Sequence, residues 1–402
     1  MRYALLGALV WAQDTIRVMA YNLLTYGATP GYCDTRCKDQ QLRTIVSFVR
    51  PHLIGVNEVG PSPALLRRLL DSVLNIGGIT YWRSSPYANS TNSNIVSALF
   101  YDSRRFGWLR QDLITTQGGL RDVYAYHLYY REPDLTSGSD TLFLVAIVAH
   151  LKAGNTAGDA QLRAQAATAI RQYIQSLPPN RQRFVIQMGD HNLYGASERA
   201  YMELVSLLVD PGPAGEWSGN SAFAFYHTQS TRAQALSDGG VGGGLNDRFD
   251  FIFFSPACTM TSARARYLPG SFRVIGQDGQ HFRRGLNEAP LPAGYSTAVV
   301  NALYAMSDHL PVIADFALTV RPYTTSLPEE AAVTPGLHWR IASEGLTLWA
   351  ERPCHFRLLD LTGRLWAQGY LEPHTPQLFY LPGGLYLLHL EEQGTWYRLA
   401  VW

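Results

Sequence analysis

The sequence predicts a large α/β domain followed by a small β domain. From about residue 15 to residue 316, apolar strand-like runs such as TIRVMAYN and TLFLVAIVAH alternate with helical stretches such as QLRTIVSFVR. The helical stretch AQLRAQAATAIRQYIQSL follows a Gly-Asp pair and ends before a Pro-Pro pair, which are typical helix boundaries. After a segment rich in Pro, Thr and Glu at 321–336, only short strand-like runs remain, and they predict a small β-sandwich at 337–402.

Composition limits the possible functions. With 402 residues, of which 47% are hydrophobic and 16% charged, the chain can bury a large core, and its length suits two domains. The formal net charge of +1 excludes a global basic field that would attract nucleic acid, but it is compatible with a local basic patch. Of the 33 Lys and Arg residues only Lys38 and Lys152 are lysines, a skew that genome composition explains as readily as phosphate binding.

The N-terminus resembles a short secretory signal peptide at residues 1–13. It contains Arg2, an apolar run from Tyr3 to Ala12 and small side chains before the expected cleavage point. The alternative is a buried first strand, but the next segment, TIRVMAYN, already supplies a strand of its own. Because this run is too short to cross a bilayer, we expect an exported protein without a transmembrane segment.

The four cysteines suit a protein of an oxidising compartment. Cys33 and Cys37 lie close together in GYCDTRCKD, and we expect one disulfide that clips a small surface loop. A zinc site would need two further ligands, whereas Cys258 and Cys354 are isolated in the sequence and are better interpreted as buried thiols.

Polar residues recur where strand-like runs begin or end. The set is Asn22, Glu58, His150, Asp190, Asn192, Asp250, Asp308 and His309. A single such residue is usually a strand-end cap or a satisfied core group. Repetition of the same placement in strand after strand favours a functional site instead.

The residue types in this set suit phosphate chemistry. Residues two apart in a strand project to the same side, so Asp190 and Asn192 are expected to converge while His191 faces away. An amide can donate to an anionic oxygen, and a carboxylate can hold a proton or orient a water. Glu58 supplies the hard oxygen that a magnesium-type cation prefers, and the two histidines supply imidazoles. This combination predicts hydrolysis of a phosphate ester.

The ordered set, with its GDxN, HLKAG and SDH motifs, resembles the endonuclease/exonuclease/phosphatase superfamily, whose fold is shared by pancreatic deoxyribonuclease and the sphingomyelinases. The resemblance extends over residues 14–320. It implies a four-layer α/β sandwich in which two packed mixed sheets are flanked by helices, with the site at one end of the sheets.

The same resemblance implies a divalent cation, Mg²⁺ or alternatively Mn²⁺ or Ca²⁺. Glu58 would be its main ligand, assisted by Asn22 and Asp308. These three residues form the predicted metal site.

The resemblance also implies a catalytic set of five residues. His309, oriented by Asp250, would take a proton from the attacking water or stabilise the phosphate. Asp190 and Asn192 would position the nucleophile and the transition-state oxygens. His150 would contact the phosphate or protonate the leaving group.

Substrate contacts are predicted for three residues, Asn22, Asn94 and Lys152. Asn94 lies near the position where pancreatic-type nucleases place a glutamate partner for the histidine, and a structural role is the alternative. Lys152, two residues after His150, is either a phosphate contact or an ordinary surface lysine. His191 replaces the apolar residue that the family most often has between Asp and Asn, and we expect little effect because its side chain faces away.

The tail resembles the C-terminal sorting domain of the type IX secretion system. The resemblance is carried by TGRLWAQGYL and by LPGGLYLLHLEEQGTWYRLAVW, which contains the Gly-x-Tyr pattern before the last hairpin, although the usual basic ending is replaced by Val401-Trp402. It implies a bacterial protein that is secreted or held at the cell surface and that engages this secretion machinery. The alternative is a carbohydrate-binding or adhesive sandwich.

Together these features predict an exported, metal-dependent phosphodiesterase, specifically an extracellular nuclease that acts on DNA or RNA as a monomer. One alternative is a lipid or small-molecule phosphodiesterase, resembling the sphingomyelinases. The other is a non-catalytic binding or adhesion protein on the same scaffold.

Overall fold

A computed structural model describes residues 13–27, 31–132 and 141–319, and, in the tail, 337–342, 345–360, 364–381, 384–391 and 395–401. The chain divides into two compact units, Met1–Arg321 and Pro322–Trp402. Residues 1–12 of the predicted signal peptide and the predicted linker at 321–336 lie outside the described residues, and Gln13 already belongs to the first strand.

The larger unit contains twelve strands within its described residues. They are β1 (Gln13–Tyr26), β2 (Leu53–Val59), β3 (Trp82–Ser84), β4 (Val96–Asp102), β5 (Phe106–Thr115), β6 (Val123–Tyr130), β7 (Phe143–His150), β8 (Val185–Asp190), β9 (Asp250–Phe254), β10 (Ala265–Tyr267), β11 (Arg273–Val274) and β12 (Val312–Thr319). Its α-helices are α1 (Thr35–Val49), α2 (Pro63–Leu69), α3 (Ala157–Ser176), α4 (Pro179–Gln182), α5 (Arg199–Val205) and α6 (Thr297–Met306). The described residues also form a π-helical turn (Leu70–Leu74) and 3₁₀ turns (Gln117–Gly119, Ser221–Tyr226, Pro256–Thr259).

These strands form two mixed sheets. The first has the order β10-β12-β1-β2-β4-β3, with β11 also paired to β12, and the second has the order β5-β6-β7-β8-β9. Each sheet contains one parallel pair, β1 with β2 and β7 with β8, among antiparallel neighbours. The two sheets pack face to face so closely that a Cβ on Gly55 of β2 would lie 2.8 Å from the sulfur of Met188 on β8.

Helices cover both outer faces. Leu42 and Ile45 of α1 and Leu303 of α6 belong to the main hydrophobic core with the first sheet. Ile170 of α3 and Leu204 of α5 belong to a second core on the outer side of the second sheet. The predicted four-layer α/β sandwich is therefore confirmed, and its apolar runs are the buried strands of the two sheets.

The helix boundaries follow from local capping chemistry. Asp34 caps α1, since its side chain accepts a hydrogen bond from the backbone N–H of Cys37. Thr156 and Asp159 form a capping box at the start of α3, and the helix ends before Pro178 as the sequence predicts.

Cys33 and Cys37 form a disulfide with a Cα–Cα distance of 5.3 Å, as predicted. Cys258 and Cys354 are both buried, which agrees with their interpretation as core residues. None of the helices in the described parts of the chain has the length and apolar character that a membrane crossing requires.

The tail forms two small antiparallel sheets. Its strands are β13 (Leu337–Ala342), β14 (Gly345–Ala350), β15 (Cys354–Asp360), β16 (Leu365–Leu371), β17 (Gln377–Phe379), β18 (Gly384–Leu390) and β19 (Thr395–Val401). The sheets have the orders β13-β14-β17 and β16-β15-β18-β19. Leu348 of the first sheet and Leu358 and Leu388 of the second share one core, which confirms the small β-sandwich.

Candidate functional site

The two parallel strand pairs bring most of the predicted residues together. In the first sheet Asn22 of β1 is in register with Asn57 of β2, and in the second His150 of β7 is in register with Asp190 of β8. Asp190 also pairs with Asp250, the first residue of the antiparallel β9. Because parallel strands end at the same edge of a sheet, the polar ends of both pairs meet at one end of the sandwich.

Asn22 lies at the centre of this cluster and is fully buried. Its Nδ2 donates to Glu58 Oε1 at 3.0 Å and to Asp190 Oδ2 at 3.0 Å, while its Oδ1 accepts from the backbone N–H of Leu24. The amide nitrogen therefore bridges the carboxylates of the two sheets. The oxygen, the atom that would ligate a cation, is engaged by the backbone.

An irregularity in β2 turns Glu58 into the site. Glu58 has a φ of 59°, and the register of β2 shifts around it on both sides, against β1 and against β4. Such a bulge re-aims side chains, and it lets Asn57 and Glu58 both act at the site although they are consecutive in a strand. Glu58 Oε2 accepts from the N–H of Thr25 at 3.0 Å.

Glu58, His150 and Asp190 could hold a metal ion, because their ligand atoms all lie within 4.8 Å of one another. His150 Nε2 is 3.9 Å from Glu58 Oε1 and 3.4 Å from Asp190 Oδ2. Burial, reinforced by the charge of Arg121, lowers the pKa of His150 well below its ordinary value, so the imidazole is neutral and able to ligate. Two carboxylates and one neutral imidazole fit a divalent cation such as Mn²⁺ or Mg²⁺.

Asp308 lies on the other side of the site, between α6 and β12. Its Oδ2 accepts from the N–H of Val241 at 2.9 Å and from Gln229 Nε2 at 3.2 Å. Its Oδ1 is buried and has no hydrogen-bond partner among the described residues. An unused buried carboxylate oxygen is the feature expected of a ligand, although Asp308 is not part of the three-residue cluster.

His309 is held by Asp250, as the resemblance implies. Its Nδ1 lies 2.7 Å from Asp250 Oδ2, and its Nε2 lies 3.7 Å from Asp190 Oδ2. Gln229 Nε2 is 2.7 Å from the same Nε2 atom. Since an amide nitrogen donates, this contact corresponds to a neutral His309 that carries its proton on Nδ1.

The pKa values of Asp190 and His309 are both raised at this site. Burial raises the pKa of Asp190 to about 7, with further contributions from the negative charges of Asp250 and Glu58. Burial alone would lower the pKa of His309, but Asp250 and Asp190 outweigh it and raise that pKa well above the ordinary value. His309 therefore takes up a proton readily, and protonation would exchange the Gln229 contact for one to an acceptor.

Asn192 reaches the site by a route other than strand alternation. β8 ends at Asp190, and Asn192 has a left-handed φ of 50°, so the period-2 argument that predicted convergence of the two side chains was wrong. The backbone N–H of Asn192 donates to Asp190 Oδ1 at 3.1 Å, and its Nδ2 donates to the carbonyl of Leu151.

The glycine of the GDxN motif is required by packing. Gly189 has a φ of 127°, and a Cβ there would lie 2.1 Å from the carbonyl oxygen of Ala149 on β7. Any side chain would push β8 away from β7 and separate Asp190 from His150.

His191 faces away from the site, as predicted. It is fully buried, with Nδ1 2.8 Å from the carbonyl oxygen of Gly189 and Nε2 2.6 Å from Gln187 Nε2, so a neutral ring donates through Nδ1 and accepts through Nε2. The rings of Phe251 and Phe253 meet it edge-on. Burial lowers the pKa of His191 to about 3, so it is neutral in the folded protein.

This buried imidazole should make the protein acid-labile. The pKa of His191 is lower in the folded protein than the ordinary value of 6.5. The stability that the neutral ring contributes is therefore fully present above pH 6.5 and is lost as the pH falls towards 3. At pH 5 the loss from this group should be about 2 kcal/mol. The free energy of unfolding, measured by urea denaturation in EDTA, should fall between pH 8 and pH 5, and in His191→Phe this fall should be smaller by about 2 kcal/mol than in wild type. An unchanged difference would contradict this account.

Two predicted substrate contacts lie in other surroundings. Asn94 is exposed and precedes β4, so it is not strand-borne as the resemblance implied, and Ser97 is the β4 residue that bonds Asn57, at 2.8 Å. Lys152 Nζ lies 2.8 Å from Asp159 Oδ1, so its charge already has an acidic partner.

Three residues of the site were missed by sequence reasoning. Asn57 accepts a hydrogen bond from the backbone N–H of Asp190 at 3.0 Å and donates one to the carbonyl of Ala149. These two bonds connect the first sheet with the second. Gln229 bonds Asp308 and His309 from a distant loop. The one available signal was the polar pair Asn57-Glu58 within an otherwise apolar strand.

Arg121 is the third missed residue. Nε and Nη1 of its guanidinium are buried and have no hydrogen-bond partner among the described residues. Burial lowers its pKa, while Asp190 and Glu58 raise it, so it lies within electrostatic reach of the cluster. A guanidinium that has two buried nitrogens without a partner and lies within electrostatic reach of this cluster is suited to an anionic substrate.

No family model matches the sequence, and no curated protein matches it either. Several solved structures have a similar chain course. D. rerio TDP2 complexed with single-strand DNA product is 16% identical, with 75% of this chain and 99% of that chain covered and a TM-score of 0.46. The human Nocturnin catalytic domain with bound sulfate is 17% identical, with 76% and 98% covered and a TM-score of 0.45. An endonuclease/exonuclease/phosphatase family protein from Bacteroides thetaiotaomicron is 13% identical, with 77% and 96% covered and a TM-score of 0.46.

Proposed function

We propose that this protein is a divalent-metal-dependent hydrolase of phosphodiester bonds and that its substrate is extracellular DNA or RNA. The observation that carries the proposal is that a candidate metal cluster and a carboxylate–histidine pair lie side by side in one site. One is the cluster of Glu58, His150 and Asp190, and the other is the Asp250–His309 pair, whose imidazole lies 3.7 Å from the same Asp190.

Each group of the site has a chemical task. Glu58 and Asp190, with His150 as a nitrogen ligand and Asp308 as a further carboxylate, would hold the cation. When bound, the cation supplies charge neutralisation for the phosphoryl oxygens. Asp190 would also accept the proton of the attacking water, and burial raises its pKa to about 7 before a cation binds. His309 in its protonated form, held by Asp250, would donate to a phosphoryl oxygen.

Export also belongs to the proposal. The Cys33–Cys37 disulfide is compatible with an oxidising compartment, and the N-terminal and C-terminal sequence resemblances support secretion through the type IX pathway. Under this proposal the enzyme acts outside the cell or at the surface of a bacterium, as a monomer.

Arg121 should contribute to substrate binding. Arg121→Met keeps an apolar stem of similar length and removes the guanidinium, so the KM for a phosphodiester should rise by about 10- to 100-fold, the value of one or two charge-assisted hydrogen bonds. The kcat should change less. Steady-state kinetics would measure both, with Arg67→Met, an exposed arginine of α2, as the control. A fall in kcat at constant KM would assign Arg121 to the transition state instead.

The function is tested by assaying one protein against four substrates. The purified protein, in Mg²⁺ and in Mn²⁺, is incubated with plasmid DNA, RNA, sphingomyelin and a generic chromogenic phosphodiester. We expect cleavage of DNA or RNA that EDTA abolishes and that added Mn²⁺ restores.

The other outcomes separate the alternatives. Turnover of the lipid or the small ester alone would identify a lipid or small-molecule phosphodiesterase. Absence of turnover on all four substrates would overturn the enzymatic proposal in favour of a binding protein. Cleavage that persists in excess EDTA would overturn the role of the cation.

A further inference from the structure

Lys38, one of the two lysines of the chain, lies buried in the first turn of α1. Its Nζ donates to the carbonyl oxygen of Leu23 at 2.9 Å and also bonds the carbonyl oxygen of Leu24. Burial lowers its pKa to about 8. Neither hydrogen bond is to a predicted site residue. Burying an ammonium costs free energy, so its position on two backbone carbonyls calls for an explanation.

The two carbonyls belong to a strained turn at the end of β1. Leu24 and Thr25 both have left-handed backbone conformations, with φ of 45° and 49°. Consecutive non-glycine residues rarely adopt this conformation, and a β-branched residue such as Thr25 is especially disfavoured there. Such a turn persists only where the surrounding structure holds it.

This turn holds the proposed metal ligands. The N–H of Thr25 donates to Glu58 Oε2 at 3.0 Å, and the N–H of Leu24 donates to Asn22 Oδ1 at 2.9 Å. Asn22 in turn bridges Glu58 and Asp190. A chain of hydrogen bonds through the backbone of the turn therefore connects Lys38 with the cluster.

The first turn of α1 is itself firmly anchored. Asp39, next to Lys38, accepts from Tyr26 Oη at 2.5 Å and from Arg68 Nη2 at 2.6 Å. The Cys33–Cys37 disulfide closes the chain immediately before Lys38. The Lys38 ammonium therefore extends from an anchored helical turn to the end of β1.

We propose that Lys38 is a positioning residue that sets the affinity of the site for its divalent cation, an inference that rests on the proposed function. Its ammonium binds the carbonyl oxygens of both Leu23 and Leu24, and it thereby fixes the backbone so that the Thr25 N–H stays directed at Glu58. A compact ammonium with three donors suits two converging carbonyls better than the planar fork of arginine, which is used at almost every other basic position of this chain.

Charge and position have opposite consequences here, which makes the inference testable. Asp238, Asp308 and Glu58 attract the Lys38 ammonium, and Arg232 repels it. If Lys38 acted only as a nearby positive charge, its removal would strengthen cation binding. If it holds the turn, its removal weakens binding.

The experiment measures Mn²⁺ binding to the full, metal-stripped protein by titration calorimetry, without substrate. Lys38→Met keeps the length of the side chain and removes the donors, and Arg36→Met, an exposed residue of the same helical turn, is the matched control for loss of charge. In Lys38→Met the Kd for Mn²⁺ should rise about tenfold or more, which corresponds to about 1.4 kcal/mol. In Arg36→Met the Kd should stay within about twofold of wild type.

An unchanged or lower Kd in a folded Lys38→Met protein would overturn the inference and leave the proposed function intact. If Lys38→Met does not fold, the double variant Cys33→Ser/Cys37→Ser removes one of the two anchors of the first turn of α1 while it keeps the ammonium. Its Kd for Mn²⁺ should rise severalfold, and an unchanged value would overturn the inference. Wild-type protein that binds no Mn²⁺ would overturn this inference and the cation of the proposed function, whereas binding without turnover of any phosphodiester would overturn the proposed function alone.

Discussion

Asp190→Asn should lower the kcat for phosphodiester cleavage by about 10³- to 10⁴-fold, the upper range for loss of a general base, and should leave KM within severalfold of wild type. Asp190 is the residue that both halves of the site share: its Oδ2 accepts from Asn22 and faces the two imidazoles of His150 and His309. Burial raises its pKa to about 7 in the protein without a cation, so this carboxylate accepts a proton more readily than an exposed one. An amide of the same shape cannot accept the proton, and in either orientation its nitrogen would face a donor, the Asn22 amide or the Asn192 N–H.

The measurement is single-turnover and steady-state cleavage of the preferred substrate from the four-substrate assay. Asp71→Asn, an exposed carboxylate in the π-helical turn after α2, controls for the loss of one charge and should retain full activity. Thermal unfolding of Asp190→Asn should give a single transition, which separates loss of chemistry from loss of fold. A kcat within tenfold of wild type would contradict the assignment of Asp190 as the base.

Much of the site was accessible from the sequence because its residues occupy the ends of buried strands. Asn22, His150 and Asp190 end, or nearly end, apolar runs, and parallel pairing then places those ends at one edge. The alternation of buried strands with helices predicted a large α/β domain, whereas the four-layer architecture was implied by the resemblance to a known superfamily. Gly189 entered the sequence analysis only as part of the GDxN motif, and its packing against β7, which leaves no room for a side chain, is visible only in the structure.

The residues that sequence reasoning missed depend on irregular backbone. Alternation along β2 would send Asn57 and Glu58 to opposite faces, and only the bulge at Glu58 brings both to the site. Asn192 lies beyond the end of its strand in a left-handed conformation, so a strand rule gave the right neighbourhood by the wrong geometry.

Long-range contacts are a second reason for the missed residues. Gln229 meets Asp308 across 79 residues of chain, and nothing in its local sequence predicts this contact. Arg121 follows a glycine-rich turn and is one of many arginines, and among the described residues it is distinguished by having two buried guanidinium nitrogens without a hydrogen-bond partner. The periodicity and spacing of residues in a sequence predict regular helices and strands. These contacts depend instead on the conformation of the loops at the ends of the sheets.

Asp250→Asn should lower kcat by about 10²- to 10³-fold, because the carboxylate that orients and charges His309 is lost, as in other carboxylate–histidine pairs. Asp250 is fully buried, and its Oδ2 lies 2.7 Å from His309 Nδ1. An amide can keep one hydrogen bond to the ring, but it cannot stabilise the imidazolium.

The pH profile of this variant distinguishes orientation from charge. The negative charge of Asp250 raises the pKa of Asp190 and also raises that of His309. If activity requires ionised Asp190 and protonated His309, kcat/KM rises with pH as Asp190 loses its proton and falls as His309 loses its own. Removal of Asp250 lowers both pKa values, so both limbs of the bell-shaped profile should move to lower pH. A profile of unchanged position, at any reduced height, would mean that Asp250 acts by orienting the ring and that its charge does not set the protonation of the site.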